Sequence, residues 1–246
     1  MIPKRLFFVW LGTQPLPDFA ARNIQGWRDL MPDWDVQLIT DQNRPPTPWE
    51  GVYHGLQGVG LKSDVDRINV LHEYGGFYLD VDMIPVRSLT PVAEGCEASL
   101  AYTAHGGVET AYCAFSQGHP LAARFLQEFP TLLAAMPPGA NKFDHIRATL
   151  GPWAFYIDDW VAPRLDHRVA GFTRPITQRG LTLLGWPSIH STTVMTVDEA
   201  LSHAPGGAAA PWPDLYAVHA WTGTWVAEAG CRKPEAEAGC CNKVNL

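Results

Sequence analysis

The chain has 246 residues, 46% of them hydrophobic, which is enough apolar material to bury the core of one α/β domain, and one domain is expected. Its formal net charge of −7 excludes a general polyanion-binding surface, so bulk nucleic acid binding is not expected. No stretch approaches the roughly 18–20 consecutive apolar residues of a membrane span, and the apolar run Leu6 to Leu11 lacks a signal peptide's length and cleavage site, so a soluble, cytoplasmic protein is expected.

That run, flanked by Pro3 and Gly12, predicts a first strand over residues 4–11. A helix over 18–30 follows: Asp18 caps it, Ala20, Ala21, Ile24, Trp27 and Leu30 recur at near-helical spacing, and Pro32 lies just beyond its end. Residues 34–40 alternate as a second strand, which completes a βαβ opening. Pro45, Pro46, Pro48 and several glycines make 41–61 a loop or broken turn. A helix is expected to start at Ser63, with Asp66 in the capping-box position. Val65, Ile68, Leu71 and His72 form its inward face, and Gly75-Gly76 supply a left-handed stop. Phe77-Tyr78-Leu79 then reads as a short buried strand that ends in Asp80-Val81-Asp82. In open α/β sheets, ligands bind at the C-terminal edge where these carboxylates lie.

Downstream, 99–103 and 111–115 read as strands and 119–136 as a helix bent or interrupted at Pro130. Residues 145–163 look helical in two pieces, and 181–184 and 215–219 look like strands. The domain is expected to span 1–226. The remainder, 227–246, loses its large apolar residues and is expected to be a flexible tail. The five cysteines, Cys96, Cys113, Cys231, Cys240 and Cys241, are an odd set with no CxxC pair, which predicts reduced thiols rather than a disulfide framework or a standard zinc site.

Asp80 and Asp82, two apart on a segment read as extended, point the same way while Val81 faces the core. Paired carboxylates repel unless a cation neutralises them, and Mg²⁺ or Mn²⁺ held by one or two carboxylates completes its shell with water and substrate phosphates. A solvated loop pair is the alternative. Asp64 and Arg67, three apart on a helix, read either as a surface ion pair or as a carboxylate for a ribose beside a guanidinium for a diphosphate. Trp10 reads as core or as a platform for a nucleobase. His219 reads as a strand-end histidine bonded to backbone or as a third ligand for Mn²⁺, with Trp221, Thr222, Thr224 and Trp225 close by in sequence.

The run Ile2-Pro3-Lys4-Arg5 through Trp10-Leu11-Gly12, then Ser63-Asp64-Val65-Asp66-Arg67, then Tyr74-Gly75-Gly76-Phe77-Tyr78-Leu79-Asp80-Val81-Asp82 resembles the DXD-motif glycosyltransferases. That family joins the fungal initiating α-mannosyltransferases to bacterial capsule and lipooligosaccharide transferases and, more distantly, to the glucosyltransferase domains of large clostridial toxins. The resemblance implies a GT-A fold, a single Rossmann-like domain with a mixed central sheet flanked by helices. It implies donor binding by Trp10, Asp64, Arg67, Asp80, Thr224 and Trp225, metal binding by Asp80, Asp82 and His219, and catalytic roles for Asp82 and Arg67. It further implies Mn²⁺ or Mg²⁺ as cofactor and a nucleotide diphosphate sugar as donor, UDP-sugar first and GDP-mannose second, with the acceptor unassigned. Ala220 stands where the family commonly has a second histidine and Thr224 where it has serine. Glu109 or Thr110 occupies the place of a frequent Asn, while Ser116 to Pro120 and Gly151-Pro152 match more weakly.

The expected activity is retaining hexosyl transfer to a hydroxyl. Two rival readings use the same residues. One is a phosphatase of the haloacid dehalogenase type with Asp80 as nucleophile and Asp82 as acid, against which Ile84 stands where a hydroxyl residue usually follows. The other is a sugar-nucleotide-binding protein without turnover.

Overall fold

In the computed structural model, the described residues are 1–56, 58–94, 96–102, 108–134, 176–178, 181–184, 189–191 and 216–219. The chain order is β1 Arg5–Val9, α1 Asp18–Leu30, β2 Asp35–Ile39, α2 Glu50–Gly55, α3 Val59–Tyr74, β3 Gly76–Leu79, β4 Met83–Pro85, α4 Thr90–Ala93, β5 Ala98–Tyr102, β6 Val108–Phe115, α5 Pro120–Ala134, β7 Ile176–Gln178, β8 Leu181–Leu184, β9 Ile189–Ser191 and β10 Ala217–His219. Among the described residues, seven strands form a mixed sheet in the order β2-β1-β3-β6-β5-β8-β7, and β4, β10 and β9 form a second sheet of three. β2, β1 and β3 run parallel, and β6 pairs antiparallel with β3. The α/β class and mixed central sheet expected from the sequence are present, with β1, α1, β2 and β3 where the apolar pattern puts them.

Both faces are buried along β1, β3 and residues 111–115 of β6, as the centre of a sheet covered by helices requires. Phe7 and Tyr78 look towards α3 and α5, where Val65, Ile68, Leu71, Phe125 and Phe129 pack. Leu6, Phe8, Phe77 and Leu79 look the other way, onto Ile24 and Trp27 of α1 and Val92 of α4. Gly75-Gly76 does stop α3: Gly75 has φ +63° and Gly76 φ +129°. A Cβ on Gly76 would lie 2.8 Å from the Arg5 carbonyl oxygen, so β3 can join β1 this closely only because the position is glycine.

Four local expectations are corrected. Asp18 does not cap α1: the N-cap is Pro17, no side chain makes a capping bond, and Asp18 is the first helical residue. Residues 41–61 are not all loop, because α2 forms within them. Its first residue, Glu50, holds the segment before it: Glu50 Oε2 accepts the Thr47 N–H at 2.8 Å and the Thr47 hydroxyl at 3.1 Å, while the N-cap Trp49 makes no side-chain capping bond. α3 begins at Val59, not Ser63, so Ser63 is inside the helix and Asp66 caps nothing. Asp66 is instead fully buried, accepting the Tyr53 hydroxyl at 2.7 Å with Arg44 3.7 Å away. α5 runs through Pro130 without interruption. The carbonyl that Pro130 leaves without its helical N–H belongs to Leu126, and the Trp49 indole N–H supplies the missing donor at 2.7 Å.

Cys96 and Cys113 are buried and in no disulfide, and burial pushes the Cys113 thiol up to about 12, so Cys113 is not poised as a nucleophile. Among the described residues no helix is long and apolar enough to cross a membrane. The helices expected over 145–163, Cys231, Cys240, Cys241 and the 227–246 tail lie outside the described residues.

Candidate active site

Asp80 leaves β3 at its C-terminal end, and its N–H donates to the Ala111 carbonyl of β6 at 2.9 Å. The next residues do not continue extended, as the sequence pattern suggests, but turn. The Met83 N–H donates to the Asp80 carbonyl at 3.0 Å, so Val81 and Asp82 are the centre of a β-turn. The turn still brings both carboxylates to one side, because it feeds β4 into the second sheet. There β4 pairs antiparallel with β10, with Met83 opposite His219.

That pairing places His219 Nε2 3.2 Å from Asp82 Oδ1 and 3.9 Å from Asp80 Oδ2. One ligand atom from each of Asp80, Asp82 and His219 lies within 4.8 Å of the others. Asp82 and His219 are buried, and Asp80 is partly exposed, so the cluster has a wet side. Two carboxylates and an imidazole fit Mn²⁺ or Mg²⁺, with coordination positions left over for water and phosphate oxygens.

The ion pair expected between Asp64 and Arg67 forms, at 2.9 Å, but it is no surface pair. Arg67 is buried. Its Nη2 also lies 3.5 Å from Asp80 Oδ1, and its guanidinium sits over the Tyr78 ring, 4.7 Å from the centroid. Burial works against the Arg67 charge, yet Tyr78, Asp80 and Asp64 more than restore it and hold its pKa above the ordinary value. The Tyr78 hydroxyl donates to Asp80 Oδ1, and burial pushes the Tyr78 pKa well up, so the phenol keeps its proton. The result is a row, Asp64–Arg67–Asp80, whose buried guanidinium carries a fixed positive charge up to the candidate metal ligands.

Trp10 follows β1 directly. β1 pairs in parallel with β3, Phe7 opposite Tyr78, so Trp10 and Asp80 emerge at the same sheet edge from neighbouring strands. Its backbone N–H donates to the Ile39 carbonyl at 2.9 Å and its indole N–H to the Gln14 carbonyl at 2.8 Å. The ring is half-buried, with the rest of it available at the edge. Gly12, at φ +85°, donates its N–H to Asp41 Oδ2 at 2.7 Å and so ties this corner to the end of β2.

Of the residues singled out in the sequence, Asp64, Arg67, Asp80, Asp82 and His219 are thus brought together, and Trp10 shares their edge. Thr224 and Trp225 lie outside the described residues, as do Trp221 and Thr222. Sequence reasoning missed two contacts. The role of Tyr78 was open to inference, since residues two apart on a strand share a face. The bond from the Asn23 amide to the Val81 carbonyl, at 3.0 Å, leaves no signal in the sequence.

Residues 17–98 match the family described as the glycosyltransferase sugar-binding region containing DXD motif, a span that includes Asp64, Arg67, Asp80 and Asp82. The chain is 27% identical over 135 residues to inositol phosphoceramide mannosyltransferase 3 of Schizosaccharomyces pombe (strain 972 / ATCC 24843), covering 52% of this chain and 37% of that protein. It is 23% identical over 109 residues to uncharacterized protein L263 of Acanthamoeba polyphaga mimivirus, covering 42% of this chain and 18% of that protein. The chain therefore spans well under half the length of either curated relative. Among solved structures it superposes on PaToxG glycosyltransferase with a TM-score of 0.54 at 15% identity, over 65% of this chain and 71% of that one. The shared fold is the GT-A type expected from the sequence.

Proposed function

We propose that this chain, whose residues 17–98 carry the sugar-binding region of the DXD-motif glycosyltransferases, is a glycosyltransferase that moves a hexose from a nucleotide diphosphate donor to a hydroxyl acceptor. The observation that carries the reading is the convergence of Asp80, Asp82 and His219 within 4.8 Å, with Arg67 3.5 Å from Asp80. Nothing in a bare sugar-binding surface calls for two carboxylates and an imidazole on one point with a buried guanidinium behind them.

In this reading Asp80, Asp82 and His219 hold a divalent cation, Mn²⁺ or Mg²⁺. The cation's part is to neutralise charge on the diphosphate as it becomes a leaving group. Arg67, already desolvated and held by Asp64, adds a fixed positive charge there without reorganising, the kind of electrostatic stabilisation that gives large rate gains. Trp10 stacks on the base of the donor, Asp64 and Asp80 accept from its ribose or sugar hydroxyls, and Thr224 and Trp225 close over the diphosphate. Transfer retains anomeric configuration. The acceptor oxygen attacks on the face that the diphosphate leaves, and its proton passes to the departing phosphate oxygen. A UDP-sugar is the first donor to test. GDP-mannose is the second, favoured by the mannosyltransferase name of the fungal relative.

The test is a thermal-shift panel of UDP, GDP and their sugars, with and without Mn²⁺, followed by release of free sugar from whichever donor stabilises the protein. A ligand at about 100-fold over its dissociation constant adds about 2.7 kcal/mol of stability. The reading expects a nucleotide shift that needs Mn²⁺ and a slow, Mn²⁺-dependent hydrolysis. A nucleotide shift with no turnover of any sugar nucleotide would favour a binding protein, and turnover of an aryl phosphate instead would favour the phosphatase.

A further inference from the structure

The turn that carries Asp80 and Asp82 is gripped from its far side by α1. Asn23 Nδ2 donates to the Val81 carbonyl oxygen at 3.0 Å, and Trp27 Nε1 donates to the Met83 carbonyl oxygen at 3.0 Å. The helix can come this near because residue 26 is glycine: a Cβ there would lie 2.8 Å from Pro85 Cγ. Both ends of the turn have other anchors, the Asp80 N–H on Ala111 and the Met83 carbonyl on Trp27. The central peptide, between Val81 and Asp82, is the part that Asn23 holds.

A β-turn has one soft coordinate, rotation of that central peptide. The two commonest turn types differ there: ψ of the second residue goes from about −30° to about +120°, and φ of the third from about −90° to about +80°. The third residue is Asp82, and Asp is among the few side chains enriched at positive φ, so the turn's own sequence does not forbid the flipped form. A flip would move the Asp82 nitrogen about the Cα–Cα line, tilt the Cα–Cβ bond of Asp82 and so shift its carboxylate relative to Asp80 and His219.

We propose that Asn23 is a positioning residue for the Asp80–Asp82–His219 site: its amide locks the Val81–Asp82 peptide in the one orientation that keeps the Asp82 carboxylate beside the other two ligands. The inference rests on the reading of those three residues as a divalent-cation site. Asn23 acts through the backbone, and it is half-buried on a helix whose core side chains are Ala20, Ile24 and Trp27, so its substitution leaves the packing of α1 in place.

The test is direct Mn²⁺ binding to the full chain, read from the loss of the free-ion electron paramagnetic resonance signal with no nucleotide present. Asn23→Leu has similar size and no donor, and Asn23→Asp has the same shape and, at neutral pH, only acceptors. Gln25→Leu, an exposed change on the same helix, is the control. The expected result is about tenfold weaker Mn²⁺ binding in both Asn23 variants, the loss of one hydrogen bond to a fixed peptide, with unchanged circular dichroism and Gln25→Leu binding like the wild type. Asn23→Leu and Asn23→Asp binding within twofold of the wild type overturns the positioning role while leaving the metal site standing. Wild-type protein whose Mn²⁺ binding is absent, or indifferent to Asp82→Asn, overturns the metal site and this inference together.

Discussion

His219 Nε2 stands 3.2 Å from Asp82 Oδ1, and what joins them is the antiparallel pairing of β10 with β4, which sets His219 opposite Met83. The two are far apart in sequence, so the third candidate ligand is delivered by sheet geometry alone. Asp82→Asn keeps the shape of the carboxylate and removes its charge, and is expected to abolish donor hydrolysis with the fold intact. His219→Ala leaves both carboxylates, and is expected to weaken Mn²⁺ binding by at least about 10-fold, since loss of even an outer-shell partner costs that much, with activity recoverable at high Mn²⁺. Titrating Mn²⁺ into chelator-stripped protein, with sugar release as readout, checks both. Wild-type turnover that survives the chelator would sink the metal assignment.

Arg67→Lys is expected to fail as a replacement. One nitrogen, Nη2, meets Asp64 at 2.9 Å and Asp80 at 3.5 Å while the planar guanidinium lies over the Tyr78 ring, whereas an ammonium is shorter in reach, more strongly hydrated and without a flat face to stack. A loss of about 10²–10³ in kcat is expected for donor hydrolysis, with KM changed far less, because the charge acts on the departing group. Steady-state kinetics at saturating Mn²⁺ separates the two constants. A rise in KM alone would make Arg67 a binding residue.

The part of the fold that carries the site was legible where one period dominates the chain. The buried run before Asp80, the 18–30 helix and the Gly75-Gly76 stop each rest on a single local rule, and all three hold. The start of α3 was not legible, because Ser63 and Asp66 satisfy the spacing of a capping box that does not form, and α2 arises in a stretch whose prolines read as loop. Asp64 and Arg67 were read correctly as partners and incorrectly placed at the surface as one option, since burial is set by β3 and β6, which no local window contains. The bond from Asn23 to Val81 is tertiary throughout and has no sequence signature.

Asp66 gives the protein a pH dependence of stability distinct from that of the site. Burial raises its pKa to about 6 from 3.8, against the lowering effects of the Tyr53 hydrogen bond and Arg44. A carboxyl whose folded-state pKa is raised holds its proton better folded than unfolded, so the stability it contributes is fully present below about pH 4 and is lost as pH rises through 6. Asp66→Asn has no proton to lose. Relative to that variant, the wild type is expected to lose on the order of 2–3 kcal/mol between pH 4 and pH 6.5. Urea unfolding of both proteins across that range is the measurement, and parallel curves would mean that Asp66 keeps an ordinary pKa.

Trp49 and Pro130 make a coupled pair that a double-mutant cycle can expose. The Leu126 carbonyl takes the Trp49 indole N–H at 2.7 Å in place of the amide that Pro130 lacks, and the Trp49 ring stacks on Phe129 with centroids 5.2 Å apart. Trp49→Phe retains an aromatic ring for the stack and removes the donor, leaving a buried carbonyl unsatisfied at a cost of about 1–3 kcal/mol. Pro130→Ala restores a backbone N–H to α5, so in the Trp49→Phe background it supplies the helical bond to Leu126 and is expected to recover most of that loss. In the wild type the same substitution gains much less, because the carbonyl is already occupied. The two substitutions should therefore be non-additive by about 1 kcal/mol or more, which chemical denaturation of the four proteins resolves. Simple additivity would mean that the indole bond does not stand in for the missing helical one, and that α5 tolerates Pro130 for another reason.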